Sequence, residues 1–477
     1  MEWRQVIDLG GCCERVALEM VGRVLPQFLG EWNRRVWIIA IPMVLANVTT
    51  PLLGIADTAV IGHLPDAIYL GAVSVGATIF SLFFWGFGFL RMGTTGLTAQ
   101  AYGASNTRQV RSVMVWAMII SVSAGVLLIA ARPLFASLVF PLINPSDDVE
   151  ASARIYVSIR MWGAPAVLIG HSFVGWSLGI QRTDLTLVVM AFTNIVNIFL
   201  DVVFVIGFGW GVEGVAIGTV MAEWIAVAVV ICITAKVLRK HFPGQWTKSE
   251  IFDTSILRQF FTVNLDIFLR TLALIGAMLW FTNRSAQLGD IVLAANAVLL
   301  NFTMFTAFFL DGIAFAAEAL VGEAKGARDS WAFQKAVIVS AGWSLFFAVV
   351  GALVYLVAGS VIIAALTDIH GVRTEANRYL PWVVGLPLLA VWPFLLDGIF
   401  IGATRTVAMR NGMWAAFAGF IALTVVFVPL WQNHGLWLAF ALFMVLRALT
   451  LAVRFPALAR SISSITGVEH TSKVSSG

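Results

Sequence analysis

Charged residues are scarce in this chain, and their scarcity argues against an ordinary soluble fold. Only 12% of the 477 residues are Asp, Glu, Lys or Arg, whereas 60% are apolar and the mean hydropathy is +0.90. A soluble domain covers its surface with about 25% charged residues. With half that share, the main solvent of the chain is expected to be lipid. The net charge of +4 is modest and does not indicate a nucleic-acid-binding face.

The chain also lacks the residue patterns of metal sites, disulfide frameworks and soluble enzymes. Its cysteines are Cys12, Cys13 and Cys232, and their spacing fits neither a zinc site nor a set of disulfides. There is no Walker A loop, no dinucleotide-binding GxGxxG unit and no HExxH motif. Acidic residues near the N-terminus argue against a secretory signal peptide. We expect no metal, no cofactor, no ATP drive and no enzymatic activity.

Long apolar segments recur along the chain and predict an all-α integral membrane protein with twelve transmembrane helices. A helix needs about 20 apolar residues to cross a hydrocarbon core of about 30 Å. Six such segments precede a polar stretch between Lys236 and Arg258, and six follow it. The predicted spans are 36–62, 68–101, 112–138, 154–180, 186–208 and 213–236, then 256–282, 291–322, 333–358, 378–403, 410–430 and 434–457.

The polar stretch divides the chain into two six-helix lobes. Placing both termini in the cytoplasm puts most Lys and Arg residues of the loops inside, as the positive-inside rule requires. The predicted units are a cytoplasmic extension (1–33), an N-lobe (34–236), a cytoplasmic linker (237–255), a C-lobe (256–457) and a cytoplasmic polar tail (458–477).

The two halves contain an internal repeat. Residues 101–104 (AYGA) match residues 324–327 (AKGA), and the pattern GxxxGxxR at 175–182 recurs at 398–405; both pairs lie 223 residues apart. Each half has an even number of spans, so both halves run in the same direction. We therefore expect a pseudo-twofold axis along the membrane normal, with a cavity between the lobes.

Two N-lobe carboxylates are predicted to lie inside the membrane, where an ionised carboxylate costs about 2.5–3.5 kcal/mol and needs a partner, water or a proton. Asp57 follows a Pro and a Gly that would allow its helix to bend. Asp201 shares one face of the fifth span with Asn197 and Asn194. An Asn amide can hydrogen-bond a carboxyl group in either protonation state. We predict reversible protonation here; the alternatives are an interfacial carboxylate for Asp57 and a structural clamp for Asp201.

The C-lobe contains further ionisable residues at membrane depth. Asp266 and Arg270 have i,i+4 spacing on the seventh span and are predicted to form an ion pair. Asp311 and Asp397 each precede a Gly in an apolar run, and each is predicted either to line the cavity or to be structural. Glu318 is the remaining acid of this set.

Three predictions concern isolated charges at membrane depth. Glu223 and Arg447, in the last span of each half, are predicted to pair at the lobe edges. Arg91 and His171 have no evident partner in the sequence, and packing is their expected role.

Four stretches resemble the multidrug and toxic compound extrusion (MATE) transporters, in particular the branch of the DNA-damage-inducible protein F. They are residues 40–47 (AIPMVLAN), 57–64 (DTAVIGHL), 97–104 (LTAQAYGA) and 396–405 (LDGIFIGATR). The resemblance covers roughly residues 34–460. It implies two six-helix lobes that rock in alternating access and export organic cations or other toxic amphipathic compounds in exchange for protons.

The resemblance also implies a proton-coupling and substrate-binding cluster. Its positions here are Asp57, Asn197, Asp201 and Thr219, with Asn194 on the same face. Val174-Gly175-Trp176 departs from some relatives, which carry an Asn there, so the hydrogen bonds of the cluster are expected to differ from theirs. The second set of cavity candidates is Asn47, Asp266, Arg270, Asp311 and Asp397.

Protons are favoured over Na⁺ as the coupling ion because Arg270 beside Asp266 would repel a cation. A sodium-coupled antiporter and a flippase for lipid-linked or amphipathic substrates are the alternatives, although a flippase cavity is expected to be strongly basic. Expected partners are small-molecule drugs or toxins and membrane lipids, without nucleic acid, and a monomer is expected. The expected location is the bacterial inner membrane, with multiple passes.

Overall fold

The computed structural model describes residues 30–49, 54, 59–62, 67–143, 146–244 and 254–463. These residues are helical almost throughout and contain no β-strand. The first lobe contains α1 (30–49), α2 (Ala67–Gly86), α3 (Phe89–Gly103), α4 (Thr107–Ala130), α5 (Arg132–Ile143), α6 (Asp147–Arg160), α7 (Ala164–Gly179), α8 (Thr183–Asp201) and α9 (Val212–His241). The second contains α10 (Thr254–Gln287), α11 (Asp290–Gly326), α12 (Ser330–Leu366), α13 (His370–Gly402), α14 (Thr406–Ala452) and α15 (Phe455–Ser463).

The described helices account for the twelve predicted membrane passes. Within the part of the chain that the structure describes, nine segments are long and apolar enough to cross a membrane. The last of them, Thr406–Ile462, is broken at Gln432, where φ is 48°, so it divides into two passes. The helix α1 and the pair α6–α7, joined by the 3-10 turn Met161–Gly163, supply the other two. The all-α membrane fold predicted from hydropathy is confirmed.

The 223-residue repeat reappears in the backbone conformation at four helix ends. Ser105 and Arg328, after α3 and α11, have φ of 52° and 57°, and Gln181 and Thr404, after α7 and α13, have φ of 59° and 48°. Non-glycine residues rarely adopt positive φ. At each site the following N–H donates to a carbonyl five residues earlier, which closes a C-terminal cap. The donor–acceptor pairs are Asn106–Ala101, Asp329–Ala324, Arg182–Ser177 and Arg405–Phe400, at 2.8–2.9 Å.

Glycines let the helices within each lobe pack backbone against backbone. In the N-lobe, a Cβ added to Gly175 on α7 would overlap the carbonyl oxygen of Arg91 on α3. In the C-lobe, Gly398 on α13 is related in the same way to the carbonyl of Ala314 on α11. Small residues at such crossings are typical of helix packing in membranes. Both pairs again differ by 223, so the GxxxG motifs repeat because the same packing is used twice.

The two lobes meet where α3 crosses α11. A Cβ on Gly103 would overlap the carbonyl oxygen of Glu323, and one on Gly326 would overlap that of Gln100. These two contacts exchange under the 223-residue offset, so the crossing is itself pseudo-symmetric. The side chain of Glu323 accepts a hydrogen bond from Gln181 Nε2 at 2.7 Å and pairs with Arg35 on α1. The lobes are therefore joined at the helix ends that lead into the capped loops.

We predict that Gly326→Ala destabilises the protein. The new methyl group would collide with backbone, which cannot rotate away, so a loss of about 1–3 kcal/mol or more is expected. Thermal unfolding of the detergent-solubilised protein measures the effect. The control is Gly351→Ala on α12, where a Cβ meets nothing within 4 Å and alanine favours the helix. If both variants unfold at the wild-type temperature, the crossing is looser than described.

Candidate functional site

A polar cluster lies between α8 and α9 in the N-lobe. Asn197 and Asp201 are both buried on α8. Asn197 Nδ2 donates to Thr219 Oγ1 on α9 at 3.1 Å, and this hydroxyl donates to the carbonyl of Val215 at 2.8 Å. Asn197 Oδ1 has no hydrogen-bond partner within the described residues. Because an amide oxygen can only accept, this atom is available to a water or to a protonated carboxyl group.

The Asp201 carboxylate lies against the backbone of α9. A Cβ added to Gly218, the residue before Thr219, would overlap Asp201 Oδ1. Glycine at this position therefore makes the space that the carboxylate occupies. Directly after Asp201 the α-helix changes to a π-helical turn, Val202–Gly207. Such turns are frequent at functional sites because they re-aim the side chains around them.

The remaining N-lobe candidates lie towards the first span. Asn194 is half-buried, and its Nδ2 donates to the carbonyl of Thr49 on α1 at 3.4 Å. Asn47 is also half-buried, without a hydrogen bond to another described residue. Asp57 lies outside the described residues, so its place in the cluster stays a prediction. On the other side of this segment, Phe199 on α8 and Val202 and Ile206 in the π-helical turn are exposed.

In the C-lobe, Asp266 does not pair with Arg270, and that prediction was wrong. The Asp266 carboxylate accepts hydrogen bonds from Thr406 Oγ1 at 2.8 Å and from Arg410 Nη1 at 2.6 Å, both on α14. Spacing along α10 could not reveal this, because neighbouring helices offer each side chain a better partner. Asp266 also lines an open crevice of about 830 Å³ between the starts of α10 and α14, with Thr254, Arg258, Gln259 and Thr262.

Asp397 is held by two arginines from two other helices. Arg447 Nη2 on α14 donates to Asp397 Oδ2 at 2.9 Å, and Arg270 on α10 pairs with the same oxygen. All three side chains are buried. The predicted pair of Glu223 with Arg447 was therefore wrong. Glu223 Oε1 instead accepts from Arg160 Nη1 at 2.8 Å, so Glu223 and Arg447 each have a partner within their own lobe.

Arg91 is not the isolated residue that the sequence indicated. Its Nη1 lies 3.3 Å from Oε2 of Glu318, and its guanidinium carbon lies 4.3 Å from the centre of the Phe315 ring. Arg91 belongs to α3 and Glu318 to α11, so this ion pair bridges the lobes. Asp311 is half-buried on the same helix, α11, and has neither an ion pair nor a hydrogen bond within the described residues.

Sequence reasoning missed the arginine partners of the acids and the glycine beneath Asp201. The partners had one available signal, since every arginine at membrane depth requires a carboxylate or another acceptor. This rule predicts that each arginine has a partner, but it does not say which acid that partner is, because the members of each pair lie far apart in the chain. Nothing in the sequence except its position next to Thr219 indicated that Gly218 contacts the Asp201 carboxylate. The arginines concerned are Arg91, Arg160, Arg270, Arg410 and Arg447.

Comparison with known proteins identifies the repeated unit. The MatE family model matches residues 42–203 and, a second time, residues 268–430. The chain belongs to the MatE family. Its two matches start 226 residues apart, which agrees with the repeat seen in the caps and glycines. Members of this family are multi-pass membrane transporters, and the chain is a transporter rather than an enzyme.

Individual relatives support the same assignment. The chain is 41% identical over 426 residues to the DNA damage-inducible protein F of Escherichia coli (strain K12), which covers 89% of this chain and 92% of that protein. It is 29% identical over 334 residues to the probable multidrug resistance protein NorM of Thermotoga maritima, covering 67% and 69%. The resemblance to MATE transporters stated from the motifs is confirmed.

The fold is also similar to a solved structure described as the outward-facing conformation of a multidrug resistance MATE family transporter. The TM-score is 0.79 at 18% identity, and the match covers 91% of this chain and 96% of that one. At this level of identity the similarity concerns the fold alone.

We predict that Asp397→Asn strongly destabilises this MatE transporter. The change leaves two buried guanidinium groups without their carboxylate, and breaking a buried pair costs about 3–5 kcal/mol. Thermal unfolding in detergent measures it. The control Asp368→Asn removes a carboxylate that pairs with Arg373 at 2.7 Å but is fully exposed, so no measurable change is expected. Equal unfolding temperatures for the two variants would contradict the buried ion pairs.

We also predict that Gly218→Ala destabilises the N-lobe cluster by about 1–3 kcal/mol, because the added methyl group displaces the Asp201 carboxylate. The loss is expected to be largely reversed in the double variant Gly218→Ala/Asp201→Ala, which removes that carboxylate. A double-mutant cycle on unfolding temperatures measures this coupling. Additive effects would mean that the two residues are not in contact.

Proposed function

We propose that the chain is a secondary active multidrug efflux antiporter, which exports organic cations or other toxic amphipathic compounds in exchange for protons. Membership of the MatE family and the multidrug resistance names of several relatives support drug export. The observation that carries proton coupling is the cluster of buried Asp201 and Asn197, in which Asn197 Nδ2 holds Thr219 while its Oδ1 remains available. Such an amide can stabilise a neighbouring carboxyl group before and after protonation.

The proposed cycle alternates access on either side of the α3–α11 crossing. The joined end of the lobes adjoins loops with Arg182, Arg328 and Arg405, which the positive-inside rule places in the cytoplasm. In this cycle both termini are cytoplasmic in a bacterial inner membrane, and the cavity between the lobes opens alternately to the periplasm and to the cytoplasm. Protonation of Asp57 or Asp201 from outside neutralises the cluster, bends the first span and releases the drug. Deprotonation towards the cytoplasm restores the negative site for the next cation.

The C-lobe ion pairs favour protons over Na⁺. A sodium site needs carboxylate oxygens without competing cations. Asp266 and Asp397, two of the three acids predicted to line the cavity in this lobe, are instead neutralised by Arg410 and by Arg270 with Arg447. The same pairing leaves no excess of positive charge between the lobes, which is what a flippase would need to bind pyrophosphate. The neutralisation of Asp266 and Asp397 therefore supports an N-lobe proton switch.

We predict that Asp57→Asn and Asp201→Asn each abolish efflux driven by a pH gradient, because an amide cannot take up and release the coupling proton. Proteoliposomes with separately imposed pH and Na⁺ gradients, and a fluorescent organic cation as cargo, measure transport. The control is Asp184→Asn, which removes an exposed carboxylate at the start of the same helix as Asp201. Wild-type efflux by both variants, or transport driven only by Na⁺, would refute the proposed coupling.

A further inference from the structure

Asp311 is the one carboxylate among the described C-lobe acids at membrane depth that no arginine holds. The other three, Asp266, Asp397 and Glu318, each have an arginine nitrogen within 3.3 Å. Asp311 is only half-buried and makes no hydrogen bond within the described residues. A carboxylate in an apolar bundle requires a counter-charge or a proton. Asp311 has no counter-charge in hydrogen-bond contact among the described residues, and part of its surface stays accessible.

The charges around Asp311 are balanced when it is ionised. Five charged side chains interact electrostatically with the Asp311 carboxylate. They are Arg91 on α3, Arg270 on α10, Asp397 on α13, Glu318 on the same helix, and Arg447 on α14. Arg91 also interacts electrostatically with His171 on α7. Among the described residues, and with His171 neutral, this group contains three arginines and three carboxylates. Protonation of Asp311 leaves one unbalanced positive charge, and so does a bound cation.

The surroundings of Asp311 suit an organic cation. Asp311 follows Phe308 by three residues and precedes Phe315 by four, so the three half-buried side chains share one face of α11. Aromatic rings beside a carboxylate attract flat or bulky cations through cation–π contact. The site lies at the lobe boundary, because a Cβ on the neighbouring Gly312 would overlap the Val44 side chain of α1.

We propose that Asp311 is a second exchange site, in the C-lobe, at which an organic cation and a proton compete for one carboxylate. This proposal rests on the proton antiport proposed above and adds a substrate-binding residue to it. The cation displaces the proton: the neutral carboxylic acid plus the cation gives the carboxylate–cation pair plus H⁺. Both cannot bind together, since the cluster would then carry two excess positive charges in a medium of low dielectric constant. Glu318 and Asp397 cannot exchange in this way because arginines already occupy them.

The test measures protons released when the detergent-purified full chain binds tetraphenylphosphonium, a permanent cation with no proton of its own. A pH dye in weak buffer counts the protons, and equilibrium binding between pH 5 and 9 gives the affinity. The wild type is expected to release protons on binding. Asp311→Asn is expected to release fewer protons and to bind at least 10-fold more weakly at high pH. The exposed-site variant Asp368→Asn is the matched control and is expected to behave as the wild type.

The outcomes separate this proposal from the one on which it rests. Unchanged proton release and affinity in Asp311→Asn, with release intact in the wild type, would overturn the role of Asp311 and leave proton antiport standing. No proton release by the wild type would overturn both. Asp311→Glu, which keeps the exchangeable proton, is expected to retain release.

A measurement on the unmutated protein keeps the proposal testable if Asp311→Asn does not fold. Dicyclohexylcarbodiimide reacts with protonated carboxyl groups in apolar surroundings. Mass spectrometry of its digested adduct is expected to show modification at Asp311 and protection by tetraphenylphosphonium. Modification of Asp311 that tetraphenylphosphonium does not reduce, or no modification there at all, would overturn the exchange site.

Discussion

The contact of α3 with α11 at Gly103 and Gly326 governs how the two lobes can be arranged. At each glycine the partner helix presents a carbonyl oxygen where a side chain would otherwise be, so the helix axes come as close as backbones allow. This closeness brings Arg91 of one lobe within reach of Glu318 of the other. It also brings Gln181 of the first lobe into hydrogen-bond contact with Glu323 of the second, beside the crossing. The ion pair and the hydrogen bond between the lobes therefore depend on the close helix packing that these two glycines allow.

The cost of an unpaired charge inside a bundle then divides the acids into two kinds. Those that have an arginine beside them, such as Asp397, form buried ion pairs, and removing either partner would leave a buried charge alone. Those without one, such as Asp311, keep a choice between a proton and a cation. The arginines thus do more than stabilise the fold. They leave few carboxylates free to exchange ions, which limits the routes by which protons could leak through the bundle.

The N-lobe also contains a buried carboxylate, but its neighbours are an amide and a glycine instead of an arginine. There the carboxylate of Asp201 has the amide of Asn197 one helical turn away and the bare backbone of Gly218 beneath it. An amide, unlike a guanidinium, can accept a hydrogen bond as well as donate one, and so does not dictate ionisation. The π-helical turn after Asp201 interrupts regular α-helical bonding at the same depth. The repeated lobes share a backbone arrangement, and they differ in the polar side chains that each places inside the bundle.

The sequence by itself determined the membrane fold, the number of passes and the repeat. Hydropathy and small-residue motifs are local properties of a sequence. The 223-residue offset between Gly175 and Gly398 can therefore be read without knowing the fold. It also indicated the polar face of α8, because Asn197 and Asp201 lie on one helix and the helical period places them together. Only the tertiary structure decided the partners of Asp266 and Arg270, whose i,i+4 spacing suggested a pair that does not form. Ion pairs between helices depend on which faces meet. The partners of Asp266 and Arg270 lie 144 and 127 positions away along the chain, where no local pattern can record them.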